Sequence, residues 1–212
     1  MKTSCMFDVE ALKAERDAYQ SLASVFLVLP DKGTVEALRP LAEDSFGECD
    51  GGSSFDVLVA FAREVQDRDA EDVVEDIARE RVVLLRGTGM GPLRPPYESL
   101  YVNAKQNESM GSLNLFYGEC GMEKLADIHD TADYLGVELS FVAELLGRVI
   151  SQVEAGENDE ASRTNDLVDS FMSQHLARWA GTYADAALQN AKTGYWRAVM
   201  LMIRETIGLR AE

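Results

Sequence analysis

Cysteine is scarce in this chain: Cys5, Cys49 and Cys120 are the only three in 212 residues, and no CxxC pair occurs. An odd, scattered set offers no disulfide framework, and a reducing compartment fits it. Histidine is scarcer, with only His129 and His175. Neither stands in an HExxH sequence or beside a cysteine pair, so no metal and no cofactor are expected. Long hydrophobic runs are missing as well. The longest clusters, Val25–Leu29 and Val82–Leu85, fall far short of the roughly 18–20 residues that span a bilayer. The opening residues, MKTSCMFDVEALKAERD, carry charges where a signal peptide has its apolar stretch. A soluble, cytoplasmic protein without membrane insertion is expected. Positive charge is also in deficit. Lys plus Arg number 20 against 37 Asp plus Glu, a net charge of −17. Such a surface repels nucleic acid and anionic membranes and favours a basic peptide.

Catalytic signatures are equally thin. There is no GxSxG elbow and no phosphate-binding P-loop sequence. Gly87-Thr-Gly-Met-Gly91 is a fragment of a dinucleotide fingerprint, but an acidic helix precedes it and Pro92 follows, so it reads as a turn. No residue pattern selects an acid and a base, and no enzyme activity is expected. No internal repeat or low-complexity tract is visible.

What is present is helical periodicity. Apolar residues make up 46% of the chain and charged residues 27%, the balance of an ordinary globular domain. Leu12, Tyr19, Leu22, Ala23, Phe26 and Leu27 recur at three- and four-residue steps after Asp8, a plausible N-cap. Pro30 stops that helix, and a short one is expected from Thr34 to Ala42. Phe46–Ser54 reads as a loop ending in a serine cap, Ser53 or Ser54, for a helix carrying Phe55, Leu58, Phe61, Ala62 and Val65. Residues 69–85 form a further helix, with Val73, Val74, Ile77, Val82 and Leu85 buried. Asp72, Glu75, Asp76, Arg79 and Glu80 form its solvated face. Arg86–Pro96 is loop. Residues 97–104 fit either an extended or a helical state, and residues 111–121 hold a short helix. A long helix is expected from Thr131, capped by Asp130, with Leu135, Leu139, Val142, Leu146, Val149 and Val153 on one face. After a break over residues 156–162 comes a helix with Leu167, Phe171, Met172, His175, Leu176 and Trp179, bending near Gly181. Gly194 precedes the last helix. The fold class is all-α: a single compact multi-helical domain over residues 1–212 with roughly nine to eleven helices.

Three segments carry more than periodicity. Arg94-Pro-Pro-Tyr-Glu-Ser-Leu-Tyr101 sets aromatics directly after two prolines. Asp130-Thr-Ala-Asp-Tyr-Leu-Gly-Val-Glu-Leu-Ser-Phe141 sets two carboxylates at a helix start. His175-Leu-Ala-Arg-Trp179 follows, with Tyr183 downstream. Each has a plain reading. Tyr97 and Tyr101 can close a core edge, Asp130 and Asp133 can complement a helix N-terminus, and His175 can be a hydrogen-bonded core histidine.

Taken together and in this order, the segments resemble the TorD/DmsD/NarJ-type redox-enzyme maturation chaperones, closest to the TorD-like branch. The resemblance runs from about Tyr19 to Ile207. It implies an all-helical cytoplasmic chaperone that binds the twin-arginine signal peptide or the apo form of a molybdopterin-containing oxidoreductase. Such a chaperone supports cofactor insertion and delays export. The family's Pro-Pro-aromatic segment falls on Pro95, Pro96 and Tyr97, continued by Glu98, Ser99 and Tyr101. Its Pro-x-Asp-His segment falls on Asp130–Tyr134, with Asp133 as the aspartate and Tyr134 where histidine is usual. Glu138 and Leu139 match a later acidic-apolar pair, and Tyr19 an N-terminal aromatic. The resulting expectation is that Asp133, Glu138 and Glu98 hold a leader's basic end, while Tyr97, Tyr101 and Tyr134 line its apolar part. A hinge near residues 120–130 joins the N- and C-terminal helical parts, and the protein is a monomer or a helix-swapped dimer. The competing readings are a helical adaptor for another basic protein and a small-molecule enzyme on a helical scaffold.

Overall fold

The computed structural model describes residues 7–43, 52–102, 106–122 and 130–210, with the side chains of residues 106–109 left aside. The expected loop over residues 46–54 lies largely outside this set, as do Cys5, Cys49, His129 and most of the expected hinge. The described residues form ten α-helices: α1 (Val9–Leu27), α2 (Lys32–Glu43), α3 (Ser54–Val65), α4 (Ala70–Arg86), α5 (Glu98–Tyr101), α6 (Gln106–Glu119), α7 (Leu135–Glu154), α8 (Asn158–Gln174), α9 (Ala180–Leu188) and α10 (Gly194–Gly208). A 3-10 turn, Leu176–Arg178, links α8 to α9. Among the described residues the only β-type pairing is one antiparallel bridge between Tyr97 and Tyr134.

Local chemistry explains four of the ten helix starts. Asp8 Oδ1 accepts from the Glu10 and Ala11 amides at 3.1 Å each, which makes it the N-cap of α1. Ser53, not Ser54, caps α3 in a reciprocal capping box with Asp56. Asp69 caps α4 and Thr193 caps α10. Gly87 ends α4 in the left-handed region at φ 61°. A Cβ there would meet the Arg94 carbonyl carbon and Pro95 at 2.6 Å, so only glycine lets the proline segment lie against the end of α4.

Five expectations need correction. In α4 the inward residues are Val73, Ile77, Glu80 and Leu84, while Val82 is 49% exposed. Glu80 leaves the solvated face because its carboxylate accepts the Lys192 and Thr193 amides at the start of α10. Asp130 does not cap α7. Residues 131–134 form a turn, and helical structure begins at Leu135. The break after α7 is shorter than expected, because Gly156 turns the chain at φ 80° and α8 starts at Asn158. The later interruption falls at His175–Trp179, ahead of Gly181.

Helix α7 is central, with buried residues on every side. It packs along α1 and α8, while α10 packs on α3 and α9. Elements from both ends of the chain are therefore interleaved with the middle. The α1–α7 crossing is close: a Cβ on Gly136 would lie 2.9 Å from Leu27 Cγ and 3.0 Å from Phe26 Cβ. An aromatic core fills the centre. Phe26 sits edge-on to Tyr134, Tyr183 and Trp196 at ring distances of 6.2–6.5 Å. The Trp196 indole donates to the Ile77 carbonyl at 2.9 Å, so its one polar atom is satisfied in the interior. Among the described residues, no helix is long and apolar enough to cross a membrane.

Candidate functional site

Two of the segments singled out in the sequence meet backbone to backbone. Pro95 and Pro96 bring the chain into Tyr97, which is extended at φ −123°, ψ 131°. The Pro96 carbonyl accepts the Leu135 amide at 3.0 Å, and the Glu98 amide donates to the Asp133 carbonyl at 2.9 Å. The first amides of a helix have no partner within the helix. Tyr134, at the N-cap position of α7, offers no side-chain acceptor. The Pro96 carbonyl supplies that acceptor from a distant part of the chain. This nonlocal cap is why Asp130 is not needed as one.

Four charged or polar side chains are sealed into this junction. Asp133 is fully buried and accepts the Ser99 and Thr131 hydroxyls at 2.6 Å each. Its position before the start of α7 also places it at the positive end of the helix dipole. Glu98, 2% exposed, has both oxygens 3.2 Å from His175 Nδ1. Glu138, in the first turn of α7, is fully buried. One oxygen accepts the Trp179 indole N–H at 3.2 Å and the other has no hydrogen-bond partner among the described residues. Burial, then the nearby charge of Glu98, hold its carboxyl well above the ordinary range. The Trp179 hydrogen bond opposes that shift and Asp133 adds to it.

Aromatic groups tie the junction to its surroundings. Tyr101 stacks on Trp179 at 5.7 Å, and its hydroxyl donates to the Arg94 carbonyl at 2.7 Å. Tyr134 donates to the Phe26 carbonyl at 3.1 Å, and its ring lies 5.2 Å from that of Tyr97. Tyr117 donates to the Ala132 carbonyl at 2.9 Å. The 94–101, 130–138 and 175–179 segments thus form one assembly.

The expected site residues divide accordingly. Pro96, Glu98, Asp133, Tyr134 and Glu138 are brought together and buried, and Tyr97, Ser99 and Tyr101 join them half-buried at the rim. The expectation that Glu98, Asp133 and Glu138 directly meet a peptide's basic end conflicts with their burial. Their oxygens face internal partners or, for one Glu138 oxygen, none among the described residues. Tyr19 lies elsewhere. It is fully buried and donates to the Thr206 carbonyl at 3.4 Å, between α1 and α10. An exposed carboxylate does stand at the rim: Asp130. Burial raises the Tyr97 and Tyr134 phenols, and the Asp130 charge adds to both shifts. His175 is the hydrogen-bonded core histidine its apolar stripe suggested. The Trp179–Glu138 bond went unforeseen, although Glu138 falls three residues after Leu135 and four before Val142, on the inward face. No group of three or more His, Cys, Asp or Glu among the described residues could hold a metal ion.

The buried acids brace two backbone segments within an all-helical scaffold. Residues 52–185 match the family described as nitrate reductase delta subunit. The match covers well over half of the chain and contains the entire junction, and the chain belongs to that family. It is a family of non-catalytic chaperones for molybdoenzyme maturation, acting with a molybdoenzyme catalytic subunit. The resemblance drawn from the three segments is therefore borne out. No curated protein matches the chain.

Proposed function

We propose that this protein acts in the cytoplasm on a molybdopterin-containing oxidoreductase, binding its twin-arginine leader or its apo form, supporting cofactor insertion and delaying export. The observation that carries this reading is the rim of the junction. Tyr97 and Tyr101 are half-buried there, Leu100 is 36% exposed and Asp130 is exposed, on a chain of charge −17. A guanidinium can pair with Asp130 and lie against the Tyr97 ring, two contacts that reinforce each other. Apolar residues of the same peptide can follow Leu100 and Tyr101. Pro96, Ser99, Tyr134 and the buried carboxylates Glu98, Asp133 and Glu138 act behind the rim by fixing its shape. Net negative charge steers a basic leader toward the surface, so association slows as salt rises.

Titration calorimetry with a synthetic twin-arginine leader tests this. Asp130→Asn and Tyr97→Ala should each weaken binding about fivefold, ~1 kcal/mol, with the fold intact. Affinity unchanged in both variants would remove the rim from the site.

A further inference from the structure

The end of α1 leaves apolar residues in the open. Val28 and Leu29 are 62% and 69% exposed, and Pro30 follows. With Val25, Ile77 and Trp196 they wall a cleft of about 270 Å³ between α1, the start of α2, α4 and α10. One cation lines it, Arg81. Its Nη2 donates to the Phe26 carbonyl at 2.5 Å, the same acceptor used by Tyr134. That bond satisfies an end carbonyl of α1, a structural role. It uses one of the five guanidinium N–H groups. Nε is buried without a partner, and Arg81 forms no ion pair among the described residues. Asp31 lines the same cleft, but its Oδ1 accepts the Thr34 amide at 3.0 Å and the Thr34 hydroxyl at 3.3 Å to start α2. Arg39, Arg86, Arg94, Arg178 and Arg197 also form no ion pair among the described residues, but they are exposed, whereas Arg81 is half-buried among apolar walls. Its planar fork suits a carboxylate. The cleft is slightly smaller than small-molecule pockets of roughly 300–1,000 Å³, which suits a few peptide side chains better than a whole metabolite.

We propose that this cleft docks an apolar peptide segment bearing a carboxylate. The carboxylate pairs with Arg81, and the neighbouring apolar side chains rest on Val28, Leu29 and Pro30. The occupant is opposite in charge to a twin-arginine leader, so the cleft is a second binding surface, separate from the rim at Tyr97 and Asp130.

Fluorescence anisotropy at about 0.15 M salt, where long-range repulsion from the negative surface is screened, with labelled acetyl-Leu-Leu-Glu-Leu-amide and its glutamine counterpart tests the proposal. The glutamate peptide should bind about tenfold more tightly than the glutamine peptide. Arg81→Gln should abolish that preference. Because Arg81 also caps α1, a second variant is needed that spares the cap. Leu29→Asp at an exposed position keeps the cap, places a negative charge at the mouth, and should weaken the glutamate peptide by a similar factor. A twin-arginine leader titrated into Leu29→Asp should keep its wild-type affinity. Equal affinity for the two peptides, no binding of either, or a leader that loses affinity in parallel would each overturn the proposal.

Discussion

Trp179→Ala is expected to destabilise the protein by about 3–5 kcal/mol, the cost of removing a large buried aromatic side chain. Trp179 is fully buried, stacks on Tyr101, and donates the only hydrogen bond that Glu138 accepts among the described residues. The substitution therefore opens a cavity and also leaves a buried carboxyl with neither oxygen satisfied. Trp179→Phe separates the two effects, since it keeps an aromatic ring and loses the N–H. It should cost less, about 1–3 kcal/mol. Urea unfolding at one pH measures both. A Trp179→Ala loss below about 1 kcal/mol would mean that the junction contributes little to holding the fold.

Glu138→Gln should stabilise the protein at alkaline pH and flatten its pH dependence. Burial raises the Glu138 carboxyl well above its ordinary value of 4.5. The folded state then keeps a proton that the unfolded state has released. The stability contributed by this group is complete below pH 4.5 and is lost as pH rises through the folded value. Glu98, Asp133 and His175 face the same interior, so the informative quantity is the difference between wild type and variant. That difference should grow as the pH rises above 4.5 toward the raised folded value, and should favour Glu138→Gln. Thermal unfolding followed across this range provides the check. Parallel curves for the two proteins would contradict a raised Glu138 pKa.

Both expectations concern residues whose local placement was partly legible in the sequence. Asp8 reads as a cap because capping is a local event, settled within three residues. His175 reads as a core histidine because Phe171, Met172 and Trp179 share its stripe. The burial of Glu138 follows from its spacing to Leu135 and Val142. Its partner Trp179 does not, because 41 residues separate them. The same limit explains Glu80 and Asp130. Glu80 sits on a charged stretch, yet it turns inward to cap amides 112 and 113 residues away. Asp130 stands where a cap belongs, yet the Pro96 carbonyl from across the fold takes the Leu135 amide. Periodicity places a residue on a helix face, but it does not say which distant backbone group that face will meet. The pairing of the Pro-Pro-Tyr segment with the Asp-Tyr segment was legible only through the family resemblance. That resemblance also suggested direct peptide contact for Glu98, Asp133 and Glu138, where burial assigns them a bracing role. Asp130 and the half-buried tyrosines became visible as a rim only once the fold had set the acids inside.

The most direct measurement is capture of a client by the full chain, affinity-tagged and purified from cells that make a molybdopterin oxidoreductase with or without its cofactor. The account predicts that the cofactor-free catalytic subunit is retained, and that the loaded enzyme is released. Equal retention of both forms, or capture of neither, would contradict it.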